Sequence, residues 1–262
     1  MSGTPPRIGI LGIAGRMGRL LAEETPAAGA TLAGGTLRPG AKLATLPPGL
    51  PVLPDIVALC EASDVVIDFT HAHAARAHAH AAAVTGTPLV LGTSGLSAAD
   101  EAAVAEAAAK TPIVYAANFA PGVNLFLAIA ERMAAALPPA QYDAEIVEMH
   151  HRQKVDAPSG TAVALGRAVA AGRGTTLEAA GRESGRDGHT GARGTGTIGF
   201  AALRGGQVVG EHTLIFAAAS EHISLTHRSF DRRVYATGAV RAALWAVGKA
   251  PGLYSMKDVL GM

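Results

Sequence analysis

Short apolar runs alternate with alanine-rich stretches through the first 120 residues, and no other feature constrains the fold as much. "RIGILGI", "ATLAGGTLR", "DVVIDFT" (64–70), "PLVLGTSG" and "PIVYAANFA" are rich in Val, Ile and Leu and bounded by Gly or Pro. Such runs read as strands buried on both faces. "GRMGRLLAEETPA", "HAHAARAHAHAAAVTG" and "SAADEAAVAEAAAK" read as the intervening helices, the last with Ser97 as N-cap. Strands alternating with helices predict an α/β fold, a Rossmann-type doubly wound parallel sheet.

After "APGVN" the texture changes. A helix is expected over 124–136, then "AEIVEMHH" as an edge-like alternating strand, then a helix over 159–172. A Gly/Arg-rich stretch with Arg182, Arg186 and Arg193 precedes two strand-like runs joined at "RGG", and "EHISLTHRSF" is one more strand. Strands joined by a glycine turn predict an antiparallel or mixed sheet. The closing "YATGAVRAALWAVGK" resembles the helices of the first half. The expected organisation is a first domain at 1–120, a smaller α/β domain at 121–229, and a return to the first domain at 230–262. The crossings at "NFAPGVN" and "HRSFDRR" are expected to act as hinges.

Composition removes several function classes. With a formal charge of +1, the chain has no general field to attract nucleic acid or an anionic membrane, so any anion must be recognised locally. One cysteine, Cys60, excludes an internal disulfide framework and a multi-Cys metal site, and reads as a small buried apolar residue in a reducing compartment. The N-terminus lacks the pattern of a signal peptide, and no run reaches the ~18 apolar residues of a spanning helix. The expected location is cytoplasmic.

Two motifs carry chemistry. "GIAGRMG" sets Gly12, Gly15 and Gly18 between a strand and a helix, where glycines permit a tight turn and close approach to a pyrophosphate. The strand ends "DFTH" and "GTSG" are expected to face the same crevice. The second motif, "EMHHRQKVDAPSGTA" (148–162), concentrates cations just ahead of a helix start. Ser159 suits an N-cap, and the free N–H groups near Gly160 and Thr161 suit a carboxylate or phosphate. Lys154, His150 and His151 add charge, and histidine is matched to proton transfer near neutral pH. A surface salt-bridge cluster with Asp156 is the plainer reading of the same residues. These patterns alone also admit a carbonyl-directed nicotinamide dehydrogenase, or a non-catalytic dinucleotide sensor.

"GRMGR", "IDFT", "GTSG", "AANFAPGVN" and "HHRQKVDAPSGTA" together resemble the dihydrodipicolinate reductase family of lysine biosynthesis. "GTIGFAALRGGQVVGEHTLIF" and the closing "GAVRAALWAVGK…GLYSMKDVL" resemble it too, so the likeness spans the chain. It implies reduction of the cyclic (4-hydroxy-)dihydrodipicolinate precursor to tetrahydrodipicolinate by NADPH or NADH, without a metal. It also implies a homotetramer built by the second domain around a small dicarboxylate substrate. By the same resemblance, His150 is the proton donor, Lys154 the second essential residue and His151 a substrate contact. Gly160 and Thr161 offer carboxylate-binding backbone. Gly12, Ile13, Ala14, Gly15, Arg16 and Met17 form the pyrophosphate turn, while Gly92, Thr93, Ser94, Ala116, Ala117, Asn118 and Phe119 line the nicotinamide side.

NADH-preferring dinucleotide folds usually carry an acid about 20 residues past the glycine turn. Leu37 stands where relatives often have it, Arg38 follows, and no acid recurs until Asp55. Arg38, helped by Lys42, is therefore expected to favour NADPH. "HAHAARAHAHA" is expected to lack carboxylates around it and reads as a solvated helix, although His71 replaces an arginine common near the cofactor in relatives. Arg182, Arg186 and Arg193 read as a mobile, solvated loop near the substrate mouth.

Overall fold

The computed structural model describes residues 4–38 and 49–262, which form two compact units. One unit runs to Pro121 and resumes at Arg233; the other is Gly122–Arg232.

The first unit opens with β1 (Arg7–Leu11), α1 (Arg16–Ala27) and β2 (Thr31–Gly35). Then come α2 (Ile56–Ala62), β3 (Val65–Asp68), α3 (Ala72–Thr85), β4 (Leu89–Leu91), α4 (Ala98–Ala108) and β5 (Pro112–Tyr115). Successive side chains on a strand point to opposite faces. Val65 and Ile67, with Val90 and Val114, therefore join one core, while Val66, Leu89, Leu91 and Ile113 join another on the reverse face. That is why these strands read as unbroken apolar runs. Cys60 is buried in the second core, and Ser97 caps α4 in a reciprocal capping box with Asp100.

The second unit holds α5 (Pro121–Ala136), β6 (Asp143–His150), α6 (Gly160–Gly172), α7 (Leu177–Ala180), β7 (Arg182–Ser184), β8 (Ile198–Arg204), β9 (Gly210–Ala217) and β10 (His222–Ser229). Its five-stranded sheet has the order β10-β9-β6-β8-β7, with β6, β7 and β8 parallel and β9 antiparallel to both its neighbours. One face packs Ile146, Phe200, Leu214 and Phe216 against α5 and α6. By register, the opposite face carries Val147, Met149, Ala201, Leu203, Thr213 and Ile215, with Leu203 50% exposed.

The chain then returns through α8 (Arg233–Ala246), β11 (Gly252–Tyr254) and α9 (Met256–Leu260). β11 adds an edge to an all-parallel sheet of order β11-β5-β4-β3-β1-β2. Alanines of α8 pack in the first core, and no helix among the described residues is long and apolar enough to cross a membrane.

Two sequence expectations are corrected, the edge position of β6 and the loose arginine loop. β6 is the central strand of its sheet rather than an edge, because alternation reports one buried face and says nothing about backbone neighbours. The expected mixed sheet is present, and within it β8 and β9 do not pair with each other. The link between them hooks over the end of β6, where the Gly205 N–H donates to the His150 carbonyl and the Arg152 N–H to that of Gly206, so β6 lies between the two strands. The arginines of 182–193 are not loose at a substrate mouth. Arg193 donates to Asp143 (2.8 Å), Glu145 (2.9 Å) and the carbonyls of Ala144 and Thr197, and Arg186 pairs with Glu183 and Glu145. These acids begin β6, and at about 3.3 Å per residue they lie well removed from His150 at its other end.

Candidate functional site

In the first unit, the residues expected around a dinucleotide gather at the carboxyl ends of β1, β3, β4 and β5. Strand order reverses at β1, which makes the β1–β3 crevice the topological switch point where such folds bind ligands. Gly12 has φ +66°, a left-handed conformation that favours glycine. A Cβ on Gly18 would fall 2.5 Å from the Gly12 carbonyl oxygen, so the turn and α1 can meet only without a side chain there. Ile13 turns its side chain into the core and gives its N–H to the Thr36 carbonyl (3.1 Å), which ties the end of β2 to the turn. Ala14, Gly15, Arg16 and Met17 are half-buried or exposed, and the first-turn N–H groups of α1 lack intrahelical acceptors. This backbone suits a pyrophosphate.

Gly92, Thr93 and Ser94 follow β4, and the Thr93 hydroxyl is buried with no hydrogen-bond partner. Ala116, Ala117 and Asn118 follow β5, with Asn118 Oδ1 accepting from the Ala120 N–H (2.8 Å). Phe119 is buried against Phe69 (ring centroids 5.4 Å apart), and its carbonyl abuts Gly238 of α8. Arg38 is exposed just beyond β2, Leu37 packs on the core, and Lys42 lies outside the described residues. The histidine helix does have a carboxylate beside it. His78 Nδ1 donates to Asp68 Oδ2 at 2.7 Å, joining α3 to the end of β3 ten residues earlier in the chain.

The second unit builds its site at the carboxyl end of β6. His150 is 8% exposed, and its Nδ1 donates to Glu148 Oε2 at 2.6 Å. Glu148 also receives two N–H groups of Arg204 (both 2.8 Å) and the backbone N–H of Ser159 (3.0 Å). Burial pushes the Glu148 carboxyl up, but bonds from Arg204, His150 and Ser159 outweigh it and hold it below the ordinary range. Burial lowers His150, and Glu148 opposes this only in part. Ser159 caps α6 as expected, its Oγ accepting from the Ala162 N–H (3.2 Å). The Gly160 and Thr161 N–H groups, at the start of that helix, have no intrahelical acceptor. Lys154 Nζ lies 2.8 Å from Asp156 Oδ1, the one member present of the salt-bridge cluster weighed from sequence among the described residues. His151 is half-buried, its Nδ1 enclosed without a partner.

Sequence reasoning missed Glu148, Arg204 and His212. Glu148 was legible in principle, because a residue two before His150 on a strand shares its face. Arg204 and His212 arrive only through strand pairing, which sets His150 beside Arg204 and Glu148 beside His212. His212 Nε2 contacts Ser159 Oγ (2.9 Å), and burial lowers this imidazole to about 4.

A histidine held neutral in the fold stabilises it above its unfolded pKa of 6.5 and loses that contribution as pH falls towards about 4. A shift of this size is worth on the order of 3 kcal/mol. Denaturation midpoints are therefore expected to fall between pH 7 and pH 4.5 by more in the wild type than in His212→Gln. Parallel decreases would reject the assignment.

Residues 6–119 match the family model for the N-terminus of dihydrodipicolinate reductase, and residues 122–260 the model for its C-terminus. A 4-hydroxy-tetrahydrodipicolinate reductase of Granulibacter bethesdensis is 68% identical, over 98% of this chain and 97% of its own. One of Acidiphilium cryptum is 60% identical over the whole of both chains. The solved structure of dipicolinate-bound dihydrodipicolinate reductase from Paenisporosarcina sp. TG-14 superposes with a TM-score of 0.79 at 25% identity, covering 97% of this chain and 99% of that one.

Proposed function

The chain belongs to the dihydrodipicolinate reductase family, and from that premise we propose which of its residues carry the reaction. It is an oxidoreductase of the diaminopimelate route to lysine, reducing (4-hydroxy-)dihydrodipicolinate to tetrahydrodipicolinate with a nicotinamide cofactor. When bound, the cofactor supplies the hydride.

His150 donates the proton to the reduced ring. The observation that carries this is the 2.6 Å bond from its Nδ1 to Glu148, which leaves Nε2 as the nitrogen that can face a substrate. One substrate carboxylate takes the Gly160 and Thr161 N–H groups at the start of α6. Lys154, released from the half-exposed Asp156, supplies charge to the dicarboxylate, and His151 adds a further contact. Fixing both carboxylates orients the ring for attack. Gly12, Ala14, Gly15, Arg16 and Met17 hold the pyrophosphate, with Ile13 shaping the turn. Gly92 to Ser94 and Ala116 to Phe119 line the nicotinamide side, where the unpartnered Thr93 hydroxyl supports a polar ligand group.

NADPH is favoured over NADH. Asp55, the first acid after β2, is spent capping α2, accepting from the Ala58 N–H (2.9 Å), so no carboxylate there repels a 2′-phosphate. The exposure of Arg38 just beyond β2 supports its pairing with one. Turnover of freshly generated precursor with each cofactor tests both claims. No turnover by a folded, cofactor-binding protein would refute the reaction. Arg38→Ala is expected to raise the KM for NADPH roughly tenfold, the scale of a charge-assisted hydrogen bond, with a smaller change for NADH. Equal changes for both cofactors would refute the preference.

The half-open sheet face around Met149, Leu203 and Ile215 supports a homotetramer built by the second unit. A solution mass other than four times the 26.4 kDa chain would exclude it.

A further inference from the structure

Asp68 is fully buried at the end of β3, and each of its three oxygens holds a different segment. Its carbonyl accepts the Gly92 N–H (2.8 Å), which starts the loop after β4. Oδ1 accepts from both the N–H (2.8 Å) and the hydroxyl (2.6 Å) of Thr70. Oδ2 accepts from His78 Nδ1, and His78 is the basic group paired with Asp68 among the described residues. The methyl of Thr70 backs the glycine turn, its Cγ2 lying 3.0 Å from where a Cβ on Gly12 would stand. Asp68 thus ties together the loops beside the switch-point crevice, and His78 completes its set of donors.

The direction of the Thr70 bond matters. A hydroxyl whose proton goes to a carboxylate has only lone pairs left for another partner. Phosphate oxygens at neutral pH chiefly accept, so they gain nothing from such a group. A ribose hydroxyl can donate to it.

We propose that Thr70, held as an acceptor by the Asp68–His78 pair against the glycine turn, binds a ribose hydroxyl of the nicotinamide dinucleotide. Asp68 and His78 are positioning residues that act through Thr70. The inference rests on the reductase reading, because it needs a dinucleotide in that crevice.

The test is the Kd for NADPH, followed by its fluorescence on the full-length enzyme, together with the melting temperature of each variant. Thr70→Val keeps the methyl that backs Gly12 and removes the hydroxyl. It is expected to weaken NADPH roughly tenfold, the scale of one hydrogen bond, and Thr70→Ser to stay near wild type. His78→Ala is expected to weaken NADPH several-fold. His78→Asn, whose amide can donate from nearly the position of Nδ1, should restore most of the loss. A wild-type Kd for Thr70→Val overturns the proposal, even if His78→Ala fails to fold. Loss of melting temperature in His78→Ala without any change in Kd also overturns it, since that is a purely structural role. A wild-type protein that binds no NADPH would refute the reductase reading itself, and that is measured first.

Discussion

His150→Gln is expected to lower kcat by about 10²–10⁴-fold, the usual cost of losing a general acid, while leaving cofactor affinity nearly unchanged. The imidazole lies in the second unit's sheet, whereas the glycine turn belongs to the first. Under the proposed role of its ammonium in holding the ring, Lys154→Ala should also lower kcat. The pH dependence follows from burial, which keeps His150 below its ordinary 6.5. The donor must be protonated, so kcat/KM, which reports the free enzyme, is expected to decline as pH rises through that lowered value. A bound dicarboxylate favours the imidazolium, so the matching decline in kcat should come at higher pH. His150→Gln should lose this limb. Wild-type kcat in both variants at saturating substrate, or an unaltered limb in His150→Gln, would remove His150 from the mechanism.

Glu148→Ala is expected to have the largest effect on stability of any single change at this site. It leaves the Arg204 guanidinium, the His150 Nδ1–H and the Ser159 N–H without their shared acceptor. Breaking a buried ion pair from one side costs about 3–5 kcal/mol, a large part of a domain's usual 5–15 kcal/mol. The partial exposure of Arg204 places the expected loss at the lower end of that range. Glu148→Gln separates packing from chemistry. Its carbonyl can still accept from Arg204, so stability should suffer less. Without the carboxylate charge, however, the His150 imidazolium loses its main support. The kcat/KM limb should therefore move to lower pH, and kcat should fall by about 10²-fold, at the low end of general-acid effects. Urea denaturation and pH–rate profiles measure the two parts independently. A Gln variant with the wild-type profile would mean that Glu148 is structural only.

The sequence by itself determined whatever short-range periodicity and local chemistry encode. "DVVIDFT" and "PLVLGTSG" had to be strands buried on both faces, since their neighbouring residues feed two separate cores. "GIAGRMG" had to be a turn into a helix, with Gly12 in the left-handed region and Gly18 where no side chain fits. Ser97 and Ser159 could be read as caps because a cap's partners lie within three residues.

Only the tertiary structure decided relations between residues far apart in the chain. It brought Arg204, 56 positions away, onto Glu148, placed His212 beside Ser159, and put β6 between the two runs that flank "RGG". It also set buried Asp68 against His78 of the histidine helix, a contact that the solvated-helix reading did not include. Strand alternation fixes which way a side chain faces but leaves open which strand lies alongside. That choice is made when sheets and helices bury their apolar faces together, and it assembles the polar network around His150.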